Sequence, residues 1–139
     1  METKDPSKYK FFPHTGDIKF QAYGDSMNEM FENVTLAINH ILSRGDKIIS
    51  KKKKKIEIEG DDNKSLLYNF IEELIFLLDS EGFVVSKAKV RVNGNKLTAE
   101  LSGDEASNYN LDQIKAATYA EMHIEKKGDK WEAQTVVDV

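Results

Sequence analysis

Two acids stand where they could share one ion. Asp138 precedes Val139 in Val136-Val137-Asp138-Val139, and Asp17 lies near the other end in His14-Thr15-Gly16-Asp17-Ile18. The Asp138 side chain and the Val139 carboxylate are two hard oxygen donors one residue apart, a set that suits Ca²⁺ or Mg²⁺ once another carboxylate joins it. Chain ends are usually frayed and polar. This one is β-branched and continues an alternating run from Trp131, so a terminal strand tied into a sheet is expected. Ca²⁺–oxygen distances of about 2.3–2.6 Å then require the Asp17 and Asp138 carboxylates to converge within roughly 5 Å. The alternative is that each acid is simply solvated at a strand end.

The remaining polar residues form no familiar catalytic set. The chain has no cysteine, no P-loop glycine pattern and no G-x-S-x-G elbow. His14, His40 and His123 sit at no metal-ligand spacing. His40 is expected on the surface of a helix and His123 on the polar face of a strand. His14, just before a turn and close to Asp17, suits an orienting or capping role. Lys115 is a lone cation on a mixed strand face, and pairing with Glu121 or a neighbouring acid would account for it.

These residues need strands and helices to hold them. Phe11-Phe12-Pro13 ends a short extended segment. Asp17 to Tyr23 alternates, with Ile18, Phe20 and Ala22 on one face. Ser26-Met27-Asn28-Glu29 is a capping box opening a helix whose Met27, Met30, Phe31, Val34, Ile38 and Ile41 make one core-facing stripe, ending near Arg44-Gly45. Asp61-Asp62-Asn63 caps a second helix, about Lys64 to Ser80, apolar on more than one face and so expected to be the one buried between sheets. Gly82 closes it, and Asn93-Gly94 joins two strands of a meander. Ser102 to Asn110 reads as a polar loop. A long strand from Ile114 to Glu125 is expected, with Ile114, Ala116, Thr118, Ala120, Met122 and Ile124 on one side. A hairpin at Lys126–Lys130 then leads into the final strand.

Composition sets the outer limits. A chain of 139 residues, 40% hydrophobic and 32% charged, reads as one soluble domain, 1–139, with a loose segment at 1–7. The absence of cysteine excludes disulfides and thiolate zinc and fits a cytoplasmic protein. No apolar run reaches the roughly 18 residues a bilayer span needs, and the polar N-terminus is not expected to be a signal peptide. A net charge of −4 argues against a dedicated nucleic-acid binder. The run Lys51–Lys55 is read as an edge that discourages sheet association, with RNA contact as the minority reading.

Taken together, several segments resemble the archease family. They are His14-Thr15-Gly16-Asp17-Ile18, Ala22-Tyr23-Gly24-Asp25, Phe31-Glu32-Asn33, Ser65 to Leu74, Asp79-Ser80-Glu81-Gly82, Ile114 to Tyr119 and Val137-Asp138-Val139. The likeness is collinear over nearly the whole chain, with Ser43–Lys55 its weakest part. It implies an α+β fold of layered antiparallel or mixed sheets with two helices, one largely buried between sheets. It also implies an accessory factor rather than an enzyme, one that activates the GTP-dependent RNA ligase of tRNA splicing by promoting guanylylation and multiple turnover. The resemblance gives a divalent metal, Ca²⁺ first with Mg²⁺ or Mn²⁺ as alternatives, to Asp17, Asp138 and Val139. It marks Lys115 as functionally important, and His14, by its place before the turn near Asp17, is taken with it as a functional residue facing the partner. Two rival classes are a chaperone-like modulator of a tRNA methyltransferase and a small metal-dependent hydrolase, the latter with no general base except His14. RNA contact is expected to be indirect or weak, with no membrane partner.

Overall fold

A computed structural model describes residues 4–139, built as two antiparallel sheets with both helices between them. Of the expected loose segment, residues 1–3 lie outside the described residues; at Asp5 the main-chain oxygen accepts from the N–H groups of Lys8 and Tyr9. The first sheet is ordered β1 (Tyr9–Phe12), β2 (Asp17–Gly24), β7 (Lys130–Asp138), β6 (Ala116–Lys127). The second is ordered β3 (Lys52–Glu59), β5 (Lys96–Glu105), β4 (Phe83–Asn93). Helix α1 (Met27–Ser43) packs on β2 and β4, and α2 (Asn63–Glu81) packs on β6, β4 and β3. The two helices thus join the sheets through one core containing Phe20, Phe31, Phe70 and Leu101.

Local chemistry explains the element ends. Ser26 Oγ accepts the Glu29 N–H at 3.1 Å, while Glu29 turns back to the N–H of Asp25 instead of Ser26, so the expected box closes one residue early. Asp62 and Ser65 form a full capping box on α2, and Gly82 ends it in the left-handed region at φ 63°. The helices also cover free strand edges, which would otherwise present unpaired backbone groups. Glu32 and Asn28 of α1 accept from the N–H groups of Val90 and Val92 on β4. Glu72 of α2 accepts from Ala117 N–H on β6 at 2.9 Å, which makes Glu72 structural.

Four expectations are corrected. The more deeply buried helix is α1, with eleven buried residues of seventeen against seven of nineteen in α2. Counting apolar residues misses this because α1 buries polar ones with partners: Asn33 donates to Tyr23 O, and Thr35 to Phe31 O. His40 is likewise buried rather than on the surface, its Nδ1 3.0 Å from the Tyr9 hydroxyl and its ring edge-on to Phe11. Most of Ser102–Asn110 is ordered: β5 continues to Glu105, a 3₁₀ turn follows at Ala106–Asn108, and buried Asp104 binds the Tyr109 hydroxyl at 2.7 Å. Finally, the long strand begins at Ala116 and loses its alternation. Ala117 rather than Ala116 is the buried alanine, and beyond Thr118 four residues, Tyr119 to Met122, stand opposite the single residue Thr135, which leaves Ala120 exposed and Met122 buried.

Burial lowers the His40 pKa, with the Lys4 charge adding to the effect. The neutral ring is therefore favoured in the fold, and the unfolded chain binds the extra proton between the lowered value and the ordinary one of about 6.5. Stability from this group is present above about pH 6.5 and is lost as pH falls below it. Thermal melts from pH 8 to 5 should show this decline, and His40→Asn should flatten the profile. An unchanged slope in the variant would remove His40 as the cause. Among the described residues no helix is long and apolar enough to cross a membrane.

Candidate metal centre

The register brings the two chain ends together. Asp17 of β2 lies directly opposite Asp138 of β7, and Ala116 of β6 faces Asp138 from the other side. Residues paired this way share a face with Cβ atoms about 4.5–5.5 Å apart. Asp17 and Asp138 are both half-buried, and among the described residues neither carboxylate has an ion pair or a side-chain hydrogen bond. Two like charges directly opposed with no cation between them destabilise a sheet. Opposed hard carboxylate oxygens are the donors a divalent cation takes, so the donor set fits one. Val139, the residue after Asp138 and just past the end of β7, is exposed.

Lys115 lies immediately before β6 rather than within it. Its N–H donates to Asp138 O at 2.7 Å, which ties this residue to the acid pair. Its exposed ammonium has no ion-pair partner among the described residues; Glu121, the partner expected for it, is taken by others. His14 Nε2 lies 3.0 Å from Glu121 Oε2, and Lys19 donates to Glu121 Oε1 at 3.0 Å. His14 thus orients a carboxylate, and with Asp17, Phe11, Phe12 and Pro13 it lines a hollow of about 540 Å³.

Sequence reasoning named Glu121 but gave it the wrong partner. It sits in the β6 bulge at φ 55°, a left-handed conformation that is uncommon for a residue with a side chain. Gln134 Nε2 holds its carbonyl at 2.7 Å, and the bulge carries the Glu121 carboxylate over the sheet to His14 and Lys19. Those two partners, His14 first, keep its carboxyl below the usual carboxylate pKa. The sequence alternates without a break from Ile114 to Ile124, so nothing in its pattern signalled this. The same bulge exposes Tyr119, which stacks on Tyr68 of α2 with centroids 4.3 Å apart and planes at 6°.

The second missed cluster is at the other end of the sheet. His123, Glu125 and Glu132 bring ligand atoms within 4.8 Å of one another, the one such trio of histidine or acidic side chains among the described residues. Six residues along β7 separate Glu132 from Asp138, about 20 Å at strand rise. Lys127 already lies 3.3 Å from Glu132 and 3.7 Å from Glu125, so its ammonium balances this charge.

A sequence profile described as the Archease protein family (MTH1598/TM1083) matches residues 9–139. "Protein archease" of Pyrococcus abyssi is 38% identical over 140 residues, covering 95% of this chain and 99% of that protein. The protein of the same name from Sulfurisphaera tokodaii is 36% identical over 137 residues, with the same coverage. Among solved structures, Methanobacterium thermoautotrophicum protein 1598 superposes with a TM-score of 0.83 at 31% identity, over 96% of this chain and 99% of that one. An archease from Thermotoga maritima, described as a possible chaperone, shares the fold with a TM-score of 0.59 at 22% identity, over 94% and 96% of the two chains.

Proposed function

The chain belongs to the archease family, and from that premise we propose that it is an accessory factor activating the GTP-dependent RNA ligase of tRNA splicing in the cytoplasm. In this reading it promotes guanylylation of the ligase and its multiple turnover, and it is not itself an enzyme. Asp17, Asp138 and a main-chain oxygen of Val139 would hold the divalent metal, Ca²⁺ in preference to Mg²⁺ or Mn²⁺. The observation that carries the proposal is the pair of opposed carboxylates, flanked by a lysine, none of the three with an ion pair among the described residues.

When bound, such a cation supplies concentrated positive charge to phosphate oxygens. The protein's own residues do the positioning. The β2–β7 register fixes the two carboxylates, the Asp138 carbonyl holds the Lys115 backbone, and Glu72 anchors Ala117 so that the segment after Lys115 cannot drift. Glu121 engages His14 and Lys19, so Lys115 is left available to a partner's phosphate or carboxylate. The exposed Tyr119 offers an aromatic contact on the same segment, a residue type enriched at interfaces.

Guanylylation and joining by the ligase, measured with GTP and RNA and with or without this protein, tests the proposal. Faster guanylylation and more than one turnover per ligase are expected. Stimulation of a tRNA methyltransferase with no effect on the ligase would favour the chaperone-like reading, and hydrolysis by this protein alone would make it an enzyme.

A further inference from the structure

The lysine run is divided between the two faces of β3. Lys52 and Lys54 pair with Glu105 at 2.6 Å and Glu81 at 2.5 Å. Lys53 and Lys55 point to the outer, exposed face of the three-stranded sheet. There the register sets Lys53, Ser102 and Lys87 in one row, then Lys55, Glu100 and Lys89, then Glu57, Thr98 and Arg91. On the central strand Ser102 lies between Lys53 and Lys87 and Thr98 between Glu57 and Arg91, and a hollow of about 500 Å³ is lined by Lys55, Lys89 and Arg91 together with Glu57 and Glu100. At ordinary strand spacing the two walls stand about 10 Å apart, and cations along each wall repeat about every 6.8 Å.

Five cations here face two carboxylates, in a chain whose net charge is −4. Lys53 pairs with Glu100 at 3.3 Å, while Lys55, Lys87, Lys89 and Arg91 have no ion pair among the described residues. Protection of a bare sheet edge accounts for lysines on β3. It does not account for three cations on β4, whose free edge Glu32 and Asn28 already cover.

We infer that this face binds the phosphate backbone of single-stranded RNA. A cationic furrow one strand wide complements a polyanion. The described residues place no aromatic ring on it, so it holds the backbone without stacking or reading bases. The choice of RNA among polyanions rests on the ligase reading above. The binding itself involves neither the ligase nor the metal, so either idea can fail alone.

The test is fluorescence anisotropy of a labelled 12-nucleotide oligouridine with the full chain, in chelator and without ligase. Wild-type protein should bind at low salt, with log K falling against log salt at a slope of about −2 to −3.5 for three to five phosphate contacts. The triple variant K55Q/K89Q/R91Q should lose at least about tenfold in affinity and about 2 units of that slope, while K52Q/K54Q should lose less than about twofold. No binding by the wild type, or equal losses in the two variants, would overturn the inference. So would competition by polyglutamate as effective as by polyuridine, since the face would then suit an acidic protein.

Discussion

Asp138→Asn should weaken Ca²⁺ or Mn²⁺ binding at least about 100-fold, because changes one shell further from a metal already cost about 10–100-fold. It should do so without destabilising the metal-free fold. Asp17 and Asp138 are directly opposed, and among the described residues neither carboxylate has an ion pair. Neutralising one of them relieves a like-charge cross-strand pair, an effect of about 0.2–1 kcal/mol. The two signs together separate a metal site from an ordinary strand end. A structural role would lower stability in chelator and leave metal affinity untouched. Titration calorimetry with each metal and thermal melts in chelator give both readings. Asp17→Asn should behave alike, and unchanged affinity in both variants would end the metal assignment.

Lys115→Ala should fold like the wild type and fail with the ligase. The side chain is exposed and has no ion pair among the described residues, and the bond to Asp138 comes from its backbone N–H, which alanine keeps. Exposed substitutions of this kind stay within about ±0.5 kcal/mol. One charge-assisted hydrogen bond from the ammonium to a partner is worth about 1.5–3 kcal/mol, which corresponds to roughly 10–150-fold in rate. Ligase stimulation should fall by that factor with little change in Tm. Normal stimulation by a normally melting variant would return Lys115 to the ordinary surface.

The strands of this fold were legible because alternation reports the face of a pleated sheet. Asp17 to Gly24 and Lys130 to Asp138 pair as the pattern implies, and that pairing alone brings Asp17 to Asp138. Asn93-Gly94 and Gly82 mark their turns for the same local reasons. What stayed hidden depended on tertiary partners. Asn33, Thr35 and His40 look like surface residues until Tyr23, Phe31 and Tyr9 are placed beside them. The bulge at Tyr119–Met122 reverses the strand's phase through a strained Glu121, which no periodicity of single residues encodes. It also moved Glu121 from the partner foreseen for Lys115 to His14 and Lys19. In the same way the lysine run gained its meaning only when β5 set it beside Lys87, Lys89 and Arg91.

The claim that this chain activates the RNA ligase through metal held by Asp17 and Asp138 is tested most directly by one comparison. Ligase, GTP and RNA are combined under multiple-turnover conditions with wild-type protein or with D17N/D138N, and guanylylated ligase and joined RNA are followed in time. Acceleration by the wild type and its loss in the folded double variant is the expected result. Equal stimulation by both proteins, or none by the wild type, would contradict it.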